Sequence, residues 1–222
     1  FGSSKEQERS TLVISARLAK VRNLIDQGKY FEATREANAL MSGFKEPQDH
    51  ELIAQLRATV GVGFFVFAEL LLKCPDDQTV SDLTAEARKF ADLPQNERLA
   101  ISMLIDIGMA NLRKALEVAH RYGQNYLARR FRSQLLFGLT LKLEENFVVD
   151  KSWALKLIDR CSRDLENFSE DERTRMAVPR LAQVICTVYD RGLDKFEDSR
   201  GQALLRLLAQ HAEASVKFLE EE

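Results

Sequence analysis

The chain has 222 residues, 45% of them apolar and 30% charged, which is enough to build a substantial core and argues against a disordered chain. The 32 basic and 34 acidic side chains leave a net charge near −2, so composition alone gives no positive field for nucleic acid or an anionic membrane. Only 10 glycines and 4 prolines are present among many good helix formers, which predicts an all-α fold.

The spacing of apolar residues predicts four helices in the first part of the chain. The first covers about 10–27 and ends at Gly28, and the second covers about 30–43. A long third helix runs from about 49 to 73, where a Cys-Pro-Asp-Asp segment breaks it, and a fourth covers about 80–93. Pro94 ends the fourth helix.

Five more helices are predicted in the remainder. They cover about 95–122, 124–146, 151–168, 169–189 and 198–218, with Gly123 closing the first of them. The total of about nine helices is joined by short connections, so residues 10–222 are predicted to form a single domain. Residues 1–9 are predicted to be a disordered tail or a cloning remnant.

The apolar run from Val60 to Leu72 contains Glu69 and is too short to cross a bilayer, so we expect a buried helix and no membrane span. No signal-peptide pattern opens the sequence. The three cysteines, Cys74, Cys161 and Cys186, are odd in number and far apart. Reduced thiols in an intracellular protein, cytoplasmic or nuclear, are therefore expected.

The segment 27–33 (Gln-Gly-Lys-Tyr-Phe-Glu-Ala) lies between the first two predicted helices. Its glycine can end the first helix with a positive φ, its aromatic side chain can fill the angle between the helices, and its alanine allows a close approach. Residues 24–40 around it resemble the corner of a tetratricopeptide repeat (TPR). Weaker echoes occur at Trp153-Ala154 and at Tyr126 to Ala128.

The TPR resemblance implies stacked antiparallel helix pairs with a concave face that takes a peptide or helix of a partner protein. Because the echoes do not follow the repeat of about 34 residues, the expected form is a short, irregular TPR-like α-solenoid. In helix count and length the chain is also similar to the 14-3-3 proteins. This resemblance implies a phosphate-binding pocket formed by several basic side chains and a tyrosine.

No catalytic residues, metal ligands or cofactor-binding motif are predicted. Glu117 and His120 have the Glu-x-x-His spacing of di-iron bundles, but no second copy accompanies them. Gly61 and Gly63 are not followed by the residues of a phosphate loop, and are expected instead to let another helix pack closely. The chain is therefore predicted not to be an enzyme.

A run of arginines and aromatic residues at 121–132 is the candidate partner-binding site. An arginine presents a planar fork of donors to a carboxylate or phosphate, and an aromatic ring adds apolar contact. The alternative is structural, with the aromatic residues in the core and the arginines solvated or paired with nearby acidic residues. The candidate residues are Arg121, Tyr126, Arg129, Arg130 and Arg132.

These patterns predict a non-catalytic scaffold or adaptor domain that binds a partner peptide or helix in a groove between helices. One alternative is a regulatory domain that binds an acidic or phosphorylated segment, or a small apolar ligand lined by Phe64–Phe67. Another is an all-α enzyme whose site is assembled from scattered residues. Self-association also stays open, whereas a nucleic-acid partner is not expected.

Overall fold

In a computed structural model of the chain, the described residues are 16–44, 49–73, 93–168 and 178–190. They form α-helices and one 3₁₀ turn, and no strand occurs among them, which confirms the all-α prediction for this part of the chain. The helices are α1 (16–26), α2 (Tyr30–Met41), α3 (His50–Lys73), α4 (Glu97–Arg121), α5 (Asn125–Glu144), α6 (Lys151–Asp164), η1 (Leu165–Asn167) and α7 (Val178–Asp190).

The predicted boundaries of the long helices are close to the observed ones. The helix predicted at about 151–168 is α6 followed by the 3₁₀ turn η1. The predicted helices at about 80–93 and 198–218, and the tail at 1–9, lie outside the described residues. The chain divides into two compact units, Phe1–Phe131 and Arg132–Glu222, and α5 runs through the boundary.

Three helices end in the same left-handed turn. Gly28 has a φ of 74°, its N–H donates to the carbonyl of Ile25 at 2.9 Å, and the N–H of Lys29 donates to Leu24 at 2.8 Å. This pair of bonds is the Schellman motif, which satisfies the last carbonyls of a helix. Gly123 and Asn146, with φ of 68° and 55°, end α4 and α5 in the same way.

Two helices begin at a side-chain cap. The carboxamide oxygen of Asn96 accepts from the N–H of Leu99 at 3.0 Å, and the carboxylate of Asp150 accepts from the N–H of Trp153 at the same distance. Each bond satisfies one of the free N–H groups of a first turn. These caps fix the starts of α4 and α6.

In the first unit, α3 packs against α2 and α4, and its aromatic residues form the centre of the core. Tyr30 stacks on Phe67 with ring centroids 5.3 Å apart, and Phe31 meets Phe67 edge-on at 5.4 Å. Phe31 and Phe67 are no more than 1% exposed. Tyr30 and Phe31, the first residues of α2, therefore pack the α1–α2 corner against α3. Burial of each ring stabilises the fold by about 1.5–3 kcal/mol.

Two glycines allow α3 and α4 to approach each other closely. A Cβ on Gly61 would lie 2.7 Å from the carbonyl oxygen of Gly108, and a Cβ on Gly108 would lie 2.8 Å from that of Gly61. At Gly63, a Cβ would lie 3.2 Å from Cδ1 of Ile25 in α1. The prediction that Gly61 and Gly63 admit close helix packing is confirmed.

Among the described helices, α3 alone is long and apolar enough to be a candidate membrane span by length and composition. More than half of its most apolar window, 56%, is buried inside the protein. A core helix passes the same test of length and composition, and the aromatic contacts of α3 with α2 agree with that interpretation.

In the second unit, α6 and α7 pack against each other through aliphatic side chains. Ile158 on α6 and Leu181, Val184 and Ile185 on α7 are buried. Gln183 of α7 also donates a hydrogen bond to the carboxylate of Glu144 in α5 at 2.8 Å. Apolar burial therefore holds the second unit together.

Candidate functional site

The candidate site lies where α4 turns into α5. The N–H of Gln124 donates to the carbonyl of Ala119 at 2.8 Å, and the N–H of Gly123 donates to His120 at 3.2 Å. Because the left-handed φ of Gly123 allows both bonds, the chain reverses within three residues. The side chains on either side of the turn are therefore held on a defined backbone.

His50, the first residue of α3, contacts this turn through its side chain. The ring of His50 stacks on Tyr122 with centroids 4.2 Å apart and the planes 28° from parallel. The side chains of Gln124 and His50 meet at 2.9 Å between their Nε2 atoms. With the amide N–H as donor, Nε2 of the imidazole is the unprotonated nitrogen.

Arg121 is exposed in the last turn of α4, next to His120. A cation at a helix C-terminus interacts favourably with the negative end of the helix dipole, typically by about 0.3–1 kcal/mol. Arg121 therefore stabilises α4, whether or not it also binds a partner.

Tyr126, Arg129 and Arg130 follow one another on one face of α5, at spacings of three and four residues. Tyr126 is 47% exposed, Arg130 is exposed and Arg129 is half-buried. Nε of Arg129 is itself buried and has no hydrogen-bond partner. Within the described part of the chain, no acidic side chain pairs with Arg129 or Arg130. We call these three residues the α5 face.

Arg132 has a different environment from the other candidates. It is 6% exposed, its Nε donates to Oδ2 of Asp164 at 2.5 Å, and its Nη2 donates to Oδ1 at 3.0 Å. A guanidinium that is buried and bound at two points to a carboxylate is a structural group of the second unit. Arg132 therefore does not belong to the exposed surface that was predicted for it.

Phe64, Phe65 and Phe67, which one alternative placed in the lining of an apolar ligand cavity, lie in the packed core, as expected for a buried helix. Phe64, Phe65 and Phe67 are at most 2% exposed, and the ring of Phe31 meets Phe64 at 6.4 Å and Phe67 at 5.4 Å. These rings fill space against other side chains of the same unit.

The described residues also offer little for covalent or metal chemistry. Burial raises the pKa of the Cys161 thiol strongly, with Asp164 raising it further, so the nucleophilic thiolate is suppressed. Among the residues described, no three His, Cys, Asp or Glu side chains are grouped so that they could hold a metal ion. Glu117 and His120 are exposed on α4.

The sequence places Arg121, Tyr126, Arg129 and Arg130 near the turn, but it does not show which residues surround them. The stacking of His50 on Tyr122 joins residues far apart in the chain, and no local pattern signals it. The exposure of two apolar side chains on α4, Leu99 (57%) and Met103 (39%), was also not predicted, although their four-residue spacing can be read from the sequence.

No protein-family model, no curated protein and no solved structure matches this chain. The TPR and 14-3-3 resemblances therefore stay predictions, and function is inferred from the residues themselves.

Proposed function

We propose that the chain is a non-catalytic protein-interaction domain, which binds a segment of a partner protein at the α5 face. In this proposal the helices form a short, irregular TPR-like stack of about nine helices, acting as a scaffold or adaptor inside the cell. The observation that carries the proposal is the α5 face itself, where an exposed tyrosine adjoins two arginines with no acidic partner among the described residues.

The composition of the α5 face supports binding of a protein. Tyrosine and arginine are over-represented among the residues that dominate protein–protein affinity, because a rigid ring or planar guanidinium buries much area for few rotatable bonds. Tyr126 places an apolar ring at the surface, and Arg129 and Arg130 add charged donors beside it.

The rigidity of the support also favours this role. The α4–α5 turn is fixed by the Gly123 bonds and by the His50–Tyr122 stack, and α4 crosses α3 in backbone contact at Gly61 and Gly108. A surface that is already ordered loses little conformational entropy when a partner docks, which improves affinity.

The chemistry of the described residues agrees with a binding role. The thiol of Cys161 is buried and held protonated, and the imidazole of His50 is engaged with Tyr122 and Gln124. A free, buried Cys161 is also consistent with a reducing, intracellular setting.

A pull-down with the wild-type chain and an R129E/R130E variant tests the proposal. Partners identified by mass spectrometry should be lost from the variant, because two attractive charges become repulsive at the centre of the surface. The matched control is R113E/K114E, which makes the same charge change at an exposed part of α4. Partner binding that is unchanged in R129E/R130E would refute the placement of the interface.

A further inference from the structure

The four arginines at 121–132 have different environments. Two of them have a structural role, and the other two do not. Arg121 complements the C-terminal end of α4, and Arg132 forms a buried two-point pair with Asp164. Arg129 and Arg130 have no acidic partner in the described residues. These two residues are therefore the ones that remain available to an acidic ligand.

Arg129 is the more informative of the two. Its Nε–H has lost contact with water and has no acceptor. A buried donor on a charged group is costly to leave unpaired, and folded proteins pair almost all such groups. Because this Nε is closed to solvent, a ligand can accept from it only when the Arg129 side chain changes its rotamer on binding.

The position of these arginines on α5 points to an anion. Arg129 and Arg130 follow Tyr126 by three and four residues, so the three side chains share one face of α5. The first turn of α5 contains no acidic residue. Two cations without an acidic partner among the described residues, close to a first turn that has no acidic residue, give this part of α5 a positive local charge that favours an anion.

We propose that the ligand of the α5 face is an acidic segment of the partner protein, an inference that rests on the proposed function. A carboxylate of the segment pairs with the guanidinium of Arg129, a second carboxylate pairs with that of Arg130, and an apolar side chain of the segment packs on Tyr126. The charge complementarity and the exposed ring together define a segment in which acidic and apolar residues alternate closely.

Fluorescence anisotropy with the full chain tests this inference. The probe is a fluorescein-labelled peptide of repeated Glu-Glu-Leu units, compared with a Gln-Gln-Leu peptide, inorganic phosphate as a competitor and a single-stranded DNA oligonucleotide. The wild-type chain should bind the acidic peptide saturably and the Gln-Gln-Leu peptide at least about tenfold more weakly, since charge-assisted hydrogen bonds are roughly twice as strong as neutral ones. Affinity should fall as salt rises from about 0.05 M to about 0.3 M.

Two variants separate binding from folding. R129Q/R130Q should bind the acidic peptide about tenfold or more weakly, while its melting temperature stays close to that of wild type, because neither arginine has an acidic partner to lose among the described residues. R130Q alone alters only an exposed residue and should show part of the loss. R113Q/K114Q removes the same charge elsewhere and should bind like wild type.

The outcomes distinguish this inference from the proposed function. If the wild-type chain does not bind the acidic peptide, or binds DNA more tightly, the acidic-segment inference is wrong. If phosphate alone displaces the peptide, the α5 face recognises a single oxyanion and the apolar contact with Tyr126 is wrong. A protein partner that still depends on Tyr126 would in each case leave the proposed function standing.

Discussion

The buried ion pair between Arg132 and Asp164 gives the sharpest prediction about stability. Both side chains are 7% exposed, and two hydrogen bonds join them. Replacing Asp164 with Asn keeps the shape but leaves the Arg132 guanidinium as an uncompensated buried charge. Breaking one partner of such a pair typically costs about 3–5 kcal/mol.

We expect the lower end of that range for D164N, about 3 kcal/mol, because Arg132 makes further interactions. With a urea m-value of about 2 kcal/mol per molar, the midpoint of unfolding should fall by about 1.5 M. The assay is urea unfolding followed by far-UV circular dichroism.

The control is D159N, which removes an exposed pair on the same helix. Asp159 and Arg163 are 43% and 65% exposed, so this substitution should change stability by less than about 1 kcal/mol. The double variant R132M/D164L should recover most of the loss, because apolar groups of similar size replace both charges. A D164N variant within about 1 kcal/mol of wild type would show that the pair is not buried as described.

Three further predictions concern the first unit and the thiol. G108A should destabilise the chain by about 2–3 kcal/mol in urea unfolding, because its Cβ would lie 2.8 Å from the oxygen of Gly61; a gain in stability would contradict the close crossing. G28A should cost about 1–2 kcal/mol because φ is 74°, whereas G43A should change little. Since burial raises the pKa of Cys161, only the unfolded thiol ionises above about pH 9, so stability should fall there as pH rises and C161A should flatten the fall.

Helix ends were the most predictable part of the fold. Gly28 and Gly123 adopt a positive φ, which is costly for nearly every residue except glycine and asparagine. A glycine that follows an apolar stripe in the sequence therefore predicts the end of a helix. The burial of Phe64, Phe65 and Phe67 was also readable, because a helix that is apolar all round has no face for water.

The environment of the candidate site was less predictable, because distant partners decide it. Arg132 and Arg130 are two residues apart in one basic run, yet only Arg132 meets Asp164, which lies 32 residues further along the chain. Local periodicity says which face a residue occupies but not what packs against that face. The structural alternative for the basic run, in which its arginines pair with acidic residues, therefore holds for Arg132. Among the described residues it does not hold for Arg129 or Arg130.

The proposed interface is tested most directly by a photo-crosslinking amino acid placed at Tyr126, with the same group at Ala110 as the control. Both positions are exposed, but only Tyr126 belongs to the α5 face. With a purified partner from the pull-down, we predict an adduct at position 126 that disappears when R129Q/R130Q is also present. An adduct of equal yield at position 110, or none at position 126, would contradict binding at the α5 face.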